Sequence, residues 1–372
     1  MKKLILVFFL ILWMVALNVQ GQTVKKEVPV TAGQTLEIDI KSGGSIEITG
    51  MKQLRVEIQA ETEGSPIKNE DLKLEKTETG VHIQYSGSTG KKGVDFKVTV
   101  PEKFNLDIKT AGGDVRITGV EGTIKGKTMG GDLDFSKLKG TIDFKTMGGE
   151  IVLKDSDLDG RVKTMGGRVL LENVSGDVEG STMGGNVVYN NVKSRDGKSA
   201  SKETRISTMG GDINISEALN GADVHTMGGQ IRVRSARQFI KAKTMGGEIK
   251  IDSIDGWVEA TTMGGDVEVC MTGNPEQGDR HVSLTSMGGD VTLTVPDGLS
   301  MDIQIELGLS KDQGDKYKIY SDFDLKQSVG DKFEDEGHNF KKVITASGTV
   351  KDGKHKIKIK TINGNVYLKK SK

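Results

Sequence analysis

The tetrapeptide Thr-Met-Gly-Gly recurs through the middle of the chain and constrains its fold more than any other feature. Most copies follow one another at the same interval, and two intervals are longer, from Met183 to Met209 and from Met263 to Met287. A fixed period, here about 18 residues, predicts a stacked array in which each repeat buries its apolar side against its neighbours. A degenerate copy, Thr-Ala-Gly-Gly, places Ala111 one such interval before the first methionine. The methionines of the repeat are Met129, Met147, Met165, Met183, Met209, Met227, Met245, Met263 and, in a Ser-Met-Gly-Gly variant, Met287.

One repeat, residues 132–149, contains two short segments in which apolar and polar residues alternate. Leu133 and Phe135 fall on one side of the first segment, and Ile142 and Phe144 fall on one side of the second. A period of two is typical of a half-buried strand, and the 3.6-residue spacing of an amphipathic helix is absent from the repeat. Each repeat therefore predicts two strands and a Gly-Gly corner.

The other repeats fit the same template, and β-branched or aliphatic residues dominate the positions that would face inward. The first strands supply the pairs Val115/Ile117, Leu133/Phe135, Ile151/Leu153, Val169/Leu171, Val187/Tyr189, Ile213/Ile215, Ile231/Val233, Ile249/Ile251, Val267/Val269 and Val291/Leu293. The second strands supply Ile124, Ile142, Val162, Val178, Ile206, Val224, Ile240, Val258 and Val282. Stacked, these residues would form two walls of a narrow core.

The predicted fold is all-β: a single-chain parallel β-solenoid, similar to a β-helix, with coils of about 18 residues and capping strands at both ends. At ~3.3 Å per residue one coil has a perimeter of roughly 60 Å, and successive coils rise by about 4.8 Å. A coil of this length could also form three hexapeptide faces of a left-handed β-helix. The unequal halves of the repeat make that the second choice.

The Thr-Met-Gly-Gly segment is interpreted as a structural corner. Two glycines permit positive φ, the threonines are expected to stack their hydroxyl groups, and the methionines are expected to fill the end of the core. Replacing Met165 with aspartate would then bury an unpaired charge, and a buried methionine file could not bind copper. The corner residues singled out are Thr128, Met129, Gly130, Gly131, Thr146, Met147, Gly148, Gly149, Thr164, Met165, Gly166 and Gly167.

Five segments divide the chain. Residues 1–21 have two lysines, a short apolar run and a final glycine, which together predict a secretory signal peptide, although an uncleaved anchor is the alternative. Residues 22–109 are predicted to form an N-terminal cap and residues 110–308 the repeat array. Residues 309–340 are predicted to form a polar loop, and residues 341–372 the C-terminal capping strands.

Composition restricts the functional class. Lysine plus arginine equals aspartate plus glutamate at 52 each, so the overall charge gives no attraction to nucleic acid. Cys270 is the single cysteine, which rules out an internal disulfide. No apolar stretch after residue 21 is long enough to span a bilayer. The sequence predicts a soluble, exported protein of the bacterial periplasm or outer surface.

The search for chemistry gives little. An acidic or amide residue often follows Gly-Gly, as in calcium-binding β-rolls, but Arg168 occupies the same slot and would oppose a cation there. The five histidines show no paired spacing for zinc, and no nucleophile elbow or phosphate-binding loop occurs. Aromatic residues total only 5%, which disfavours a polysaccharide-active β-helix enzyme. We expect no catalytic residues, no cofactor and no metal requirement for folding.

The segments Ser-Gly-Gly-Ser-Ile, Thr-Ala-Gly-Gly-Asp-Val and the following Thr-Met-Gly-Gly units resemble the bacterial β-strand-repeat family of the toast-rack type whose members are named putative adhesins. This resemblance implies an exported β-solenoid with a role in surface adhesion or envelope-stress signalling. The alternative function is a periplasmic accessory protein that binds a membrane partner.

Binding to a protein or an envelope ligand is expected along outward polar positions or at two insertions. The insertions are residues 193–198 and 273–278, and the outward positions are Arg116, Asp134, Asn214, Arg232, Lys250 and Glu268.

Overall fold

A computed structural model describes residues 22–41, 43–62, 66–68, 70–87, 93–193, 204–310, 316–330, 333–335, 338–340 and 342–371. Within these ranges the chain is all-β, and they contain no helix that is long and apolar enough to cross a membrane. The predicted signal peptide and most of the first insertion lie outside the described residues.

Thirty-two strands follow one another along the described chain. They are β1 (Gln22–Pro29), β2 (Thr35–Ile40), β3 (Ile46–Met51), β4 (Arg55–Thr62), β5 (Leu72–Lys76), β6 (Gly80–Tyr85), β7 (Asp95–Pro101), β8 (Asn105–Thr110), β9 (Val115–Thr118), β10 (Glu121–Thr128), β11 (Leu133–Ser136), β12 (Lys139–Thr146), β13 (Ile151–Lys163), β14 (Val169–Ser175), β15 (Val178–Ser181) and β16 (Val187–Lys193). The remainder are β17 (Thr204–Ser207), β18 (Ile213–Ala218), β19 (Ala222–His225), β20 (Ile231–Lys243), β21 (Ile249–Thr262), β22 (Val267–Met271), β23 (Val282–Ser286), β24 (Val291–Val295), β25 (Met301–Leu309), β26 (Ile319–Ser321), β27 (Lys326–Gly330), β28 (Phe333–Asp335), β29 (His338–Phe340), β30 (Lys342–Val350), β31 (His355–Ile362) and β32 (Val366–Lys370).

In the repeat region each strand pairs in parallel with the strand one repeat further along, so that Ile124 faces Ile142 and Leu133 faces Ile151. The strands form two series. Ladder A runs through β8, β10, β12, the second half of β13, β15, β17, β19, the second halves of β20 and β21, then β23 and β31. Ladder B runs through β9, β11, the first half of β13, β14, β16, β18, the first halves of β20 and β21, then β22, β24 and β32.

The N-terminal region continues both ladders out of chain order. Strand β2 lies between β6 and β8, and β3 lies between β7 and β9, all in parallel. Antiparallel strands then cover this end: β5 pairs with β6, and β4 joins β7 to β1.

The C-terminal strands differ from the sequence-based expectation. Strand β31 lies between β23 and β25, and β32 lies between β24 and β26, so the last strands of the chain are inside the stack. The outer cover at this end is antiparallel, with β30 pairing with both β25 and β27.

The segment 309–340 was predicted to be a polar loop, yet it contains β26 to β29. Its sequence is polar and mixed in charge, which agrees with the exposure of β27 throughout its length.

The predicted inward residues of both strands are all buried. Those of ladder A, however, occupy two neighbouring positions: Ile142 is in register with Gly160, whereas Val162 is in register with Phe144. Glycine at the second position makes room for a ring. A Cβ on Gly126 would lie 2.3 Å from the ring of Phe144. Large and small residues thus alternate between repeats to fill the core.

Candidate functional site

The threonines of the corner are buried, but their hydroxyl groups do not stack on one another as expected. Thr226 Oγ1 donates a hydrogen bond to the carbonyl oxygen of Gly211, one repeat earlier, at 3.0 Å. It also accepts one from the amide of Gly229 at 3.3 Å. The same donation to the preceding repeat is made by Thr146, Thr164, Thr182, Thr208, Thr244, Thr262, Ser286 and Thr361. At the first copy the hydroxyl of Thr128 instead donates to its own Gly130.

The two glycines of the corner have different roles. A Cβ on the second glycine, for example Gly229, would lie 1.9 Å from the carbonyl oxygen of the equivalent glycine one repeat earlier. A Cβ on the first glycine, Gly228, would meet no atom closer than 3.6 Å. Positive φ was expected at the corner, but among the second glycines of the repeats it occurs only at Gly113 and Gly131. Close approach between repeats therefore requires glycine at the later corners.

The methionines form a file on the surface, and the expectation that they are buried is wrong. Their exposed fractions range from 40% at Met183 to 65% at Met129. The corner turns the side chain outward because the preceding threonine occupies the inward position. The eight exposed thioethers belong to Met129, Met147, Met165, Met183, Met209, Met227, Met245 and Met263, and we refer to them as the methionine stripe.

The position directly after Gly-Gly, which we call the acidic slot, carries side chains that accept hydrogen bonds from the backbone of the next repeat. Asp114 Oδ1 accepts a hydrogen bond from the amide of Asp132 at 2.8 Å, and Asp132 Oδ1 accepts one from the amide of Glu150 at 2.7 Å. Arg168 contacts the Glu150 carboxylate at 2.6 Å. No group of metal-binding histidine, cysteine, aspartate or glutamate occurs in the part of the chain that the structure describes.

A second corner ladder is absent from the features predicted from the sequence. Asp155, Asn173 and Asn191 adopt left-handed backbone with φ of 48°, 54° and 53°. Their side chains bond one another, with Asn173 Nδ2 donating to Asp155 Oδ1 and Asn191 Nδ2 donating to Asn173 Oδ1, each at 2.9 Å. Aspartate and asparagine at the repeat interval were the available signal, since both tolerate this conformation.

The outward positions of ladder B carry the residues predicted to bind a partner. Several of these residues neutralise one another: Arg116 contacts Asp134 at 3.2 Å, and Lys250 contacts Glu268 at 2.5 Å. Arg232 contacts Asp252 at 3.3 Å.

Between these polar groups the ladder is apolar. Val152, Leu170 and Val188 are in register, half-buried and outward, and they separate Asp134 from Asn214. We call these three residues the apolar run.

Next to the apolar run lies a groove of about 700 Å³, which is lined by both ladder B and the acidic slot. Val152 forms part of its wall, so the groove and the apolar run are continuous. The charged residues of its lining are Glu47, Asp114, Arg116, Asp132, Asp134, Glu150 and Lys154. Acidic groups outnumber basic groups in this groove.

The second insertion is fixed to the array by Arg280, which is fully buried. Its guanidinium donates to the carbonyl oxygens of Thr272 at 2.7 Å and Gln277 at 3.0 Å, and it contacts Asp255 at 2.5 Å. This insertion is therefore an anchored loop.

An aromatic stack lies beside this loop. The ring of Trp257 lies 5.0 Å from that of Phe239 and 4.9 Å from that of His281, and all three rings are nearly parallel. The Trp257 ring is covered on both faces, and the Phe239 ring also packs over Gly221. The stack thus ties successive repeats together.

The chain was compared with protein families, curated proteins and solved structures. No family model matches the sequence, and no curated protein matches it. A putative cell adhesion protein from Clostridium sporogenes is 12% identical, with 95% of this chain and 100% of that chain covered and a TM-score of 0.21. A putative adhesin from Bacteroides fragilis is 13% identical, with 64% and 97% covered and a TM-score of 0.29. A putative adhesin from Parabacteroides distasonis is 11% identical, with 73% and 97% covered and a TM-score of 0.34.

Proposed function

We propose that this protein is a non-enzymatic, adhesin-like binding module of the bacterial cell envelope. We further propose that its array is a parallel β-solenoid with coils of about 18 residues. The solenoid proposal is supported by parallel pairing between residues exactly one repeat apart, as between Thr128 and Thr146. Such an array presents the same outward positions many times along one axis, which suits an extended contact with a partner.

The apolar run on ladder B carries the binding proposal. Val152, Leu170 and Val188 expose aliphatic surface on a strand face whose neighbouring positions are charged or polar. Lys154 and Glu172, which contact each other at 3.2 Å, lie two residues further along the same strands. An apolar centre with a charged rim is typical of a protein contact site.

The groove defines the chemistry of the partner. Asp114, Asp132 and Asp134 line it, and only Asp134 of these three contacts a basic side chain among the described ion pairs. Oppositely charged surfaces steer association and set its specificity. We therefore propose a protein partner that presents lysine or arginine next to an aliphatic side chain.

Binding of labelled residues 22–372 to whole bacteria and to immobilised envelope proteins tests this proposal. The variant Val152→Thr/Leu170→Thr/Val188→Thr removes apolar surface while keeping residues that favour strands. We expect its binding to fall by about tenfold, because loss of a buried apolar centre costs about 1 kcal/mol or more. Thr123→Val/Thr141→Val, on the outward side of ladder A, is the matched control and should bind normally. Unchanged binding by the triple variant, or equal losses in both variants, would contradict the proposal.

Location is tested separately by protease shaving of intact cells. Digestion of the protein without cell lysis supports a surface position and hence adhesion. Protection until the outer membrane is opened would instead support the periplasmic accessory function.

A further inference from the structure

The exposure of the methionine stripe removes the objection to a metal site there. That objection was that buried sulfur atoms cannot be reached. The central methionines are also held in direct succession by their backbones. The amide of Met209 donates to the carbonyl oxygen of Met183 at 3.3 Å, and the amide of Met227 donates to that of Met209 at 3.2 Å. Met245 continues the series by donating to Met227 at 3.1 Å.

The spacing of these residues suits soft-metal chemistry. Strands paired in this way place equivalent residues about 4.8 Å apart. A metal–sulfur bond is about 2.3 Å long, so an ion midway between two sulfur atoms spans about 4.6 Å, close to the spacing of neighbouring repeats. A third methionine reaches the same ion by turning its unbranched, flexible side chain toward it. Thioethers are soft, uncharged ligands that select Cu(I) over harder ions. Leucine would supply similar apolar surface at these corners but no ligand atom.

The middle of the stripe is the segment without lysine, bounded by Lys163 in register with Ser181 and by Lys243 in register with His225. The residue two positions before each methionine also points outward, because the threonine between them is buried. This residue is lysine before Met129, Met147, Met165 and Met245, where an ammonium group would repel a cation. Before Met183 and Met209 it is Ser181 and Ser207, and before Met227 it is His225. His225 is exposed, and imidazole is a good ligand for copper.

We propose that the thioethers of Met183, Met209 and Met227, together with the imidazole of His225, bind a soft monovalent metal ion, Cu(I) or Ag(I). Thioethers are soft and uncharged, so the site favours a soft monovalent ion over hard divalent ions. This site lies at the Gly-Gly corner and is separate from the apolar run, so either proposal can fail without the other.

Anaerobic competition titration with a chromophoric Cu(I) chelator tests the site. The titration is performed on residues 22–372 with the wild-type sequence and in a Cys270→Ser background, which removes the only thiol. The test variant is Met183→Leu/Met209→Leu/Met227→Leu, because leucine conserves volume and apolar character. The matched control is Met129→Leu/Met147→Leu/Met165→Leu, whose methionines are preceded by lysine. Circular dichroism confirms that each variant is folded.

We expect one Cu(I) per chain in the Cys270→Ser background and in the control variant. The test variant should bind about tenfold more weakly or worse, and His225→Asn should also weaken binding, as loss of groups at metal sites does. X-ray absorption should show sulfur at about 2.3 Å from the metal. Absence of Cu(I) binding in the Cys270→Ser background, equal loss in both triple variants, or unchanged affinity of the test variant would each overturn the proposal.

Discussion

At the scale of single residues, the corner threonine is the group that ties one repeat to the next. Thr226 is completely buried and bonds backbone groups of two successive corners, Gly211 and Gly229. A hydroxyl in this position can both donate and accept, which serine and threonine alone allow at this size. Ser286, which stands in place of threonine in the Ser-Met-Gly-Gly copy, makes both bonds. The hydroxyl group that serine and threonine share is therefore what the corner requires.

Replacing Thr226 with valine should therefore destabilise the fold although the shape is retained. Buried backbone groups left without a partner cost about 1–3 kcal/mol. Urea unfolding followed by circular dichroism measures this loss. Thr141→Val, at an exposed strand position, should change stability by less than about 0.5 kcal/mol. A Thr226→Val protein as stable as the wild type would show that the corner hydroxyl bonds contribute nothing.

The Gly-Gly dipeptide offers an internal comparison. Gly229→Ala places a methyl group 1.9 Å from a backbone carbonyl oxygen that pairing between repeats fixes in position. The methyl group of Gly228→Ala would lie 3.6 Å from its nearest atom. We expect Gly229→Ala to lose about 3 kcal/mol or more through overpacking, and Gly228→Ala to change stability by under about 1 kcal/mol. Thermal unfolding of both variants measures the difference. Equal losses would mean that the close approach of neighbouring repeats is not the reason for glycine at the second position.

Surface exposure reverses the sequence-based expectation for Met165. Because 43% of this residue is exposed, an aspartate there keeps contact with water. Met165→Asp should therefore cost about 1 kcal/mol or less, as is usual for surface substitutions. A loss of several kcal/mol in urea unfolding would restore the buried interpretation.

The sequence predicted strand interiors better than corners. Alternation identifies inward residues such as Leu133 and Phe135 because a strand places successive side chains on opposite faces. Alternation continues into the corner, where Thr146 is buried and Met147 is exposed, but the corner was interpreted as the end of the core and Met147 was therefore expected to be buried. Left-handed Asn173 was missed although aspartate and asparagine recur at the repeat interval. The bonds that define its ladder join residues of different repeats.

At the scale of elements, Tyr189 on β16 is matched to Gly180 on β15. The phenol accepts a hydrogen bond from the amide of Gly180 at 2.6 Å and donates one to the carbonyl oxygen of Val178 at 3.0 Å. Other coils carry Ile206 or Val162 at the position of Gly180. The large ring of Tyr189 therefore fills the space that the missing side chain of Gly180 leaves open. Burial raises the pKa of Tyr189 well above its ordinary value of 10.0.

This shift makes a prediction for alkaline stability. Above pH 10 the unfolded chain releases the phenol proton while the folded chain retains it, so the free energy of unfolding falls as pH rises. In Tyr189→Phe this part of the pH dependence should be absent. At neutral pH the variant should lose about 1–3 kcal/mol, because two backbone groups lose their partner. Urea unfolding from pH 8 to 11 measures both effects, and parallel pH profiles for the two proteins would contradict the assignment.

At the scale of the whole molecule, the order of strands in space is less predictable than the strands themselves. Strand β31 enters the stack beside β23, where Thr361 donates to the carbonyl oxygen of Gly289 at 2.7 Å. Its Thr-x-Asn-Gly corner thus repeats the chemistry of Thr-Met-Gly-Gly. The sequence predicted strands in this segment but not their neighbours, because pairing between distant segments depends on which edges remain open. The antiparallel β30 and β5 close those edges against further pairing.

A stack held by equivalent contacts between neighbours should tolerate the loss of one whole repeat. Deleting residues 150–167 joins Gly149 to Arg168 and removes one full repeat, so β14 takes the place of the first half of β13 above β11. The threonine, glycine and inward aliphatic positions then meet equivalent partners. We expect a folded all-β protein whose melting temperature falls by a few degrees, since repeat stability is roughly a sum of neighbour contacts. Deleting only residues 150–158 is the control, because removing half a repeat brings strands of ladder B against strands of ladder A. Corner residues then fall at core positions. Circular dichroism and thermal unfolding should show cooperative folding for the first deletion and not for the second; equal behaviour of the two would mean that the register of the repeat does not specify the fold.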